Sequence, residues 1–362
     1  VGPAGERKCR FITRLHAFAG QPFVRVFYTW IMTEDSRTLR FRDIGLRLPL
    51  PAQSCSFALD DGSAVSFPVT QNLGADLVQY DFDKFLLRPG QPREGGPQPL
   101  GVMATDTGAT TVALAVRDFR QLFPKELSSD AEGITFHVWP AHGLAQPDRP
   151  VTDAMLQYLW FCHEGEVLDF QVPESYYTHS EQYSEYEYRY VRSSQYANAM
   201  GISKTHELLL AFGSQLDAAR VAAVTEVFQD PPECLAAPQW MCASGVFGHI
   251  APVDRESFST YEDLISGTFD AERRMQDFTR DYGMWNFGDA HTSWDMTRRR
   301  WSDVYRCWRN THHGAPRLPW ILYVRSGDPK YLRFGVRNTR HVMDEDFCHW
   351  STPEFEALPY PQ

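Results

Sequence analysis

Trp320-Ile321-Leu322-Tyr323-Val324-Arg325-Ser326-Gly327-Asp328-Pro329-Lys330-Tyr331 decides how the C-terminal part of this chain folds. The apolar run Trp320 to Arg325 reads as a short helix that stops at Gly327, because glycine takes the left-handed cap conformation without a side-chain clash. Asp328 and Pro329 then supply the N-cap and the first helical position of a second helix. Tyr331, Phe334 and Asn338 fall at i, i+3 and i+7 and continue that helix's inner face. A Gly-Asp-Pro joint between two helices is an αα-hairpin. Repeated hairpins build bundles, solenoids or closed toroids, and this segment holds fewer helices than a closed toroid needs.

The helical signal extends upstream to about Tyr261, with Trp301, Val304, Tyr305 and Trp308 spaced as one apolar stripe. Leu216, Val221, Val224 and Phe228 fit a further helix that stops before Pro231-Pro232. Earlier in the chain the period changes to two. Phe23 to Trp30 is rich in β-branched and aromatic residues; Ile44, Leu46, Leu48 and Leu50 alternate; Tyr186, Tyr188 and Tyr190 alternate with charged residues. Arg88-Pro89-Gly90-Gln91-Pro92 and Gly95-Gly96-Pro97 read as a surface loop. The expected architecture is α+β and multidomain, a β-sandwich-like domain over residues 1–255 followed by an α-helical segment over 256–362 that is either a small bundle or a fragment of a longer helical array.

The 362 residues are enough for two cores, and 43% hydrophobic with 22% charged residues is a globular composition. The 10 Trp, 16 Tyr and 24 Phe suit sheet packing and also suit flat contacts with sugar rings. A net charge of −11 argues against a nucleic acid or an anionic membrane as partner. An acidic polysaccharide needs only a local cluster of cations and stays open. No run reaches the ~20 apolar residues of a membrane span. No signal-peptide pattern is present, and the chain begins at Val1. Seven scattered cysteines contain no CxxC pair, and in a secreted chain one disulfide, Cys234 with Cys242, stays open. No GxSxG, GxxxxGK[ST] or GxGxxG pattern occurs, which disfavours serine hydrolase, NTPase and dinucleotide chemistry.

Three clusters could carry chemistry. Tyr282 to Asp295 places Trp285, Trp294, Asp289 and His291 on a glycine-containing loop; it reads either as an acid/base or sugar-binding loop or as a helix cap by Asp289. Arg340 to His349 places His341 and Asp344 at i, i+3, with Asp346 and His349 nearby. This set suits sugar binding, a divalent metal, or simply a solvated helix end. Gly201 to Glu207 places Lys204 and His206 on one face of a strand and Thr205 and Glu207 on the other. Lys204 could neutralise a carboxylate while His206 moves a proton, or the strand could hold an ordinary ion pair. His312-His313 follows a helix, and Arg117-Asp118 and Lys125-Glu126 read as plain salt bridges.

Several stretches, in order along nearly the whole chain, resemble the PcRGLX/YetA-like family of exo-rhamnogalacturonan lyases. They are Arg14 to Phe23, Leu39 to Leu50, Arg117-Asp118-Phe119 with Phe123 to Leu127, Gly201 to Glu207, Phe287-Gly288-Asp289, and Trp320 to His341. The resemblance implies a barrel-like first part, a central β-sandwich and a C-terminal α/α toroid, with this chain beginning in the middle part and ending early in the toroid. It also implies a secreted polysaccharide lyase acting on galacturonate-containing pectic polymer by β-elimination, without an organic cofactor and with a divalent cation as an option. His206 or His291 is then the expected base, Lys204 or Arg340 the carboxylate neutraliser, Asp289 a positioning group and Tyr282 the acid. Arg340, His341, Trp285, Trp294 and His312 are the expected substrate-binding residues. Two alternatives remain: a glycoside hydrolase using a pair among Asp289, Asp295, Asp344 and Asp346, or a non-catalytic carbohydrate-binding fragment.

Overall fold

A computed structural model of the chain describes residues 5–90, 92–141, 168, 170, 198–214, 218–279, 282–289, 294–295, 300–301 and 316–356. The chain divides into two units, Val1–Pro231 with Gly283–Trp285 and Cys348–Gln362, and Pro232–Tyr282 with Asn286–Phe347.

In the first unit, the β-forming run Phe23–Met32 is strand β2. Its antiparallel sheet has seven strands in the order β1 (Cys9–Ala17), β2, β13 (Ser203–Gly213), β10 (Thr111–Val116), β9 (Pro99–Asp106), β4 (Ser54–Leu59) and β5 (Ala64–Pro68). A six-stranded antiparallel sheet runs β3 (Ile44–Leu48), β12 (Gly133–Trp139), β11 (Lys125–Asp130), β6 (Ala75–Asp81), β7 (Lys84–Arg88) and β8 (Pro92–Glu94). Trp30, Phe57 and Met103 of the first sheet share one fully buried cluster with Leu77, Phe85 and Phe136 of the second, which makes the unit a β-sandwich. Ile44, Leu46 and Leu48 turn toward that core, as their alternation predicts. On the outer side, Ala113, Ala115, Leu209 and Ala211 pack against Val221 and Phe228 of helix α1 (Ala218–Gln229), which ends just ahead of Pro231.

Several local expectations change. The Pro/Gly stretch near residue 90 includes the short edge strand β8, where a leading proline gives up no interior ladder bond. Arg117 pairs with Glu207 at 2.9 Å. The Asp118 backbone has a φ of 53°, and its N–H donates to Gln229 Oε1. Lys125 turns inward and Glu126 outward, because neighbours on a strand occupy opposite faces. Cys234 and Cys242 are free thiols. The alternating tyrosines at 186–190 lie outside the described residues.

The second unit contains helices α2 (Pro238–Ala243), α3 (Arg255–Thr279), α4 (Leu318–Ser326) and α5 (Pro329–His341), and the last three share a small apolar core. Gly327 closes α4 with φ 69°, its N–H donating to Tyr323 O at 2.7 Å. The Asp328 side chain accepts from the Lys330 N–H at 3.0 Å and starts α5. Tyr331 and Phe334 then meet Phe269 of α3 edge-on at 4.7 and 5.5 Å between ring centres. A part-buried ion pair between Glu262 of α3 and Arg325 of α4 joins these two helices. Trp301 lies in a two-residue strand, Arg300–Trp301, paired with Trp294–Asp295, and not in the helix its spacing predicts. Val304, Tyr305 and Trp308 lie outside the described residues. No helix among the described residues is long and apolar enough to cross a membrane.

Candidate functional site

α5 buries Phe334, Asn338 and His341 along one side, at i, i+4 and i+7. Beyond His341 the backbone passes into a π turn, Val342–Asp346. Such turns widen the helix and occur often beside functional residues. His341 is 3% exposed. Its Nδ1 stands 3.2 Å from Glu345 Oε1, and its Nε2 stands 3.7 Å from Asp289 Oδ2. The Glu345 approach is not an aligned hydrogen bond, and the Asp289 approach exceeds hydrogen-bond length.

Asp289 reaches this position because its loop is fastened to α5. Asn338 Nδ2 donates to Gly288 O at 2.8 Å. Gly288 has a φ of +111°, and a Cβ there would stand 2.8 Å from His341 Cβ and 2.9 Å from Arg337 O. Only glycine permits both the conformation and the approach. Next to the loop, the Arg337 guanidinium lies 4.3 Å above the Phe287 ring and 5.3 Å from that of Phe334. Tyr282 packs against Phe287 at 5.8 Å and donates its hydroxyl to Asp277. Burial, followed by that hydrogen bond and the Asp277 charge, pushes the Tyr282 phenol well above its ordinary value. The phenol therefore stays protonated through the neutral range.

The remaining sequence-derived candidates belong to the sandwich unit. Residues 204 and 206 share the inner face of β13, opposite Trp30 and Tyr28. Lys204 is 3% exposed, with its Nζ 5.7 Å from the Trp285 ring. His206 is 1% exposed and meets Phe136 edge-on at 5.4 Å between ring centres. Thr205 and Glu207 point the other way, as the period of two predicts: Thr205 Oγ1 is 2.9 Å from Thr29 Oγ1, and Glu207 is held by Arg25 and Arg117. Burial would raise the Glu207 carboxyl, but the two guanidiniums outweigh it and hold the group below its ordinary value. Trp285 sits in the segment Gly283–Trp285, which bonds to the sandwich through Gly283 N–H to Gln121 O and Met284 N–H to Phe123 O.

The structure thus divides the expected set. Asp289, His341, Arg340 and Tyr282 fall in the helical unit, and Lys204, His206 and Trp285 in the sandwich. His291, His312 and the Trp294 side chain lie outside the described residues. Glu345, at i+4, stands beside the His341 ring, while Asp344 at i+3 is buried and Asp346 is exposed. Among the described residues, no three His, Cys, Asp or Glu converge as a metal site.

Sequence reasoning missed Glu345, Arg337 and Lys125. The first two lie four residues either side of His341, a spacing that places side chains on one helix face. Lys125 is fully buried, its Nζ donating to the carbonyls of Pro124 and Val138 at 3.0 and 2.9 Å and lying 3.0 Å from Met284 Sδ. Its alternation with Glu126 on β11 was the available signal.

Residues 231–358 match the sequence model of the family described as "PcRGLX-like protein C-terminal alpha/alpha toroid domain". The chain is also 27% identical over 244 residues to "Uncharacterized protein YetA" of Bacillus subtilis (strain 168), a stretch covering 66% of this chain and 26% of that protein. The chain therefore spans about a quarter of the length of this curated relative. A β-sandwich followed by helical hairpins, the toroid-domain match over residues 231–358 and the similarity to YetA together support a PcRGLX/YetA-like family for this chain.

Proposed function

We propose that the chain is a polysaccharide lyase acting by β-elimination on galacturonate-containing, rhamnogalacturonan-type polymer. The observation that carries this reading is His341, set between the carboxylates of Asp289 and Glu345 inside the segment that matches the toroid family. β-Elimination needs a base for the C5 proton of the uronate, a cation against its carboxylate, and an acid for the departing O4 oxygen. In the proposed site His341 takes the proton, and the flanking carboxylates orient the ring and stabilise the charge it acquires. Arg337 or Arg340 neutralises the substrate carboxylate. Tyr282, held protonated, donates to the leaving oxygen. His206 is not assigned as base, because its ring faces Phe136 and the leucine-lined inner side of β13. Secretion is part of this proposal, since a polymer substrate is met outside the cell.

The test is turnover of rhamnogalacturonan by the full chain, followed as ultraviolet absorbance of the unsaturated uronide. His341→Asn should lower turnover at least ~100-fold, the usual worth of a general base, with little loss of substrate affinity. Glu345→Gln should shift the pH profile of kcat while leaving the fold intact. Unchanged turnover in a folded His341→Asn protein rejects the assignment. A hydrolase reading also draws on the Asp289 and Glu345 carboxylates, and it predicts reducing ends without absorbance.

A further inference from the structure

The outer face of the seven-stranded sheet carries a feature that the elimination chemistry leaves unused. Strand register places Arg10, Ile12, Arg14 and His16 of β1 on the same face as Arg25, Phe27 and Thr29 of β2 and Thr205 and Glu207 of β13. Helix α1 covers this face over Ala113, Ala115, Leu209 and Ala211. At the β1 end, every residue after Cys9 is exposed.

This uncovered end is basic in a protein whose net charge is −11. Arg25 and Arg117 hold Glu207, and the strand register adds Arg10 and Arg14 to the same face. Among the described residues, neither Arg10 nor Arg14 has a carboxylate at ion-pair distance. Aromatic rings lie between the charges. The Arg10 guanidinium sits 3.9 Å from the Trp350 ring centre, His16 is 5.1 Å from Phe27, and Arg25 is 5.3 Å from Phe27. Protection of a sheet edge accounts for an isolated charge on β1. It does not account for cations and rings gathered on one face across two strands.

We propose that this face is a binding platform for an acidic polysaccharide chain, separate from the His341 site. The identity of the polymer as a polyuronate rests on the lyase reading; the polyanion chemistry of the face does not. Arg10 and Arg14 stand ~13 Å apart along the strand, so they engage the carboxylates of non-adjacent sugars. Phe27 and Trp350 present ring faces to the apolar sides of the pyranoses. Guanidiniums suit carboxylates because their planar fork pairs both oxygens at once.

The test is binding of polygalacturonate to the full chain by affinity electrophoresis and calorimetry, with neutral galactan and single-stranded RNA as comparison polymers. The double substitution Arg10→Ser with Arg14→Ser lies on an exposed strand, so thermal melting should be unchanged. It should weaken polygalacturonate binding roughly tenfold at low salt and flatten the salt dependence. Arg47→Ser, which removes one exposed cation from the other sheet, should leave binding within twofold. Unchanged binding in the double variant, or equal weakening by Arg47→Ser, overturns the platform. Equal affinity for RNA overturns the polyuronate assignment. If the double variant loses binding and the unsubstituted protein makes no unsaturated product, the platform stands and the lyase reading fails.

Discussion

Gly288→Ala is the substitution that most directly tests how the candidate site is held together. At φ +111° an alanine is in a region left almost wholly to glycine, which costs ~1–3 kcal/mol. Its Cβ would also fall 2.8 Å from His341 Cβ and 2.9 Å from Arg337 O, too close for either neighbour to yield, since one is backbone and the other the root of a buried side chain. The loop must lift from α5. Lifting stretches the 2.8 Å bond from Asn338 Nδ2 to Gly288 O, and a buried polar pair left unsatisfied costs a further ~1–3 kcal/mol. The expected loss is about 2–6 kcal/mol, read as a drop in the urea midpoint of the helical unit. Asp289 moves with the loop, so turnover should fall as well. Gly267→Ala is the matched control. It lies inside α3 with no atom within 4 Å of the added Cβ, so it should stabilise by ~0.5–1 kcal/mol. A Gly288→Ala protein within ~0.5 kcal/mol of the original would show that the loop is not fastened to α5 as described.

Two further outcomes follow from other contacts. Asp328→Ala removes the side-chain acceptor for the Lys330 N–H and should cost ~1 kcal/mol in urea unfolding, with Asp328→Asn losing much less; equal effects of the two would refute the cap. Burial alone would lower the His137 imidazole, but its hydrogen bond to Asp43 and the charges of Glu126, Asp43 and Asp76 outweigh burial and hold it above its ordinary value. The folded protein therefore binds this proton more tightly than the unfolded chain. The resulting stability is fully present below the unfolded value of ~6.5 and is lost as pH rises through the folded value. His137→Gln should flatten that part of the stability profile, and an NMR titration placing His137 at or below its ordinary value would contradict it.

What could be read from the sequence was local or periodic. Gly327, Asp328 and Pro329 act through the backbone of adjacent residues, so the joint between α4 and α5 needed no tertiary information. The alternation of Lys204, Thr205, His206 and Glu207 assigned faces correctly, because a strand has a fixed period of two. The partners of those side chains were beyond reach. Arg117 meets Glu207 across the β10–β13 pairing, and Asp289 meets His341 52 residues on, because non-local pairing is set by sheet order and helix packing. The reading of Asp289 with His291, and of His341 with Asp344, used the shortest spacings available. Both i+3 and i+4 lie on the His341 face of a helix, and of these Glu345 at i+4 stands beside the ring. Trp301 shows the same limit from the other side: a helical spacing is a weak guide where a two-stranded pairing competes for the same residues.

If this chain breaks a uronate-containing polymer by β-elimination, as proposed, the product reveals it. Purified protein incubated with rhamnogalacturonan should generate ultraviolet absorbance in step with new reducing ends, one unsaturated uronide for each bond broken. Reducing ends that accumulate without that absorbance would contradict the account and assign hydrolysis instead.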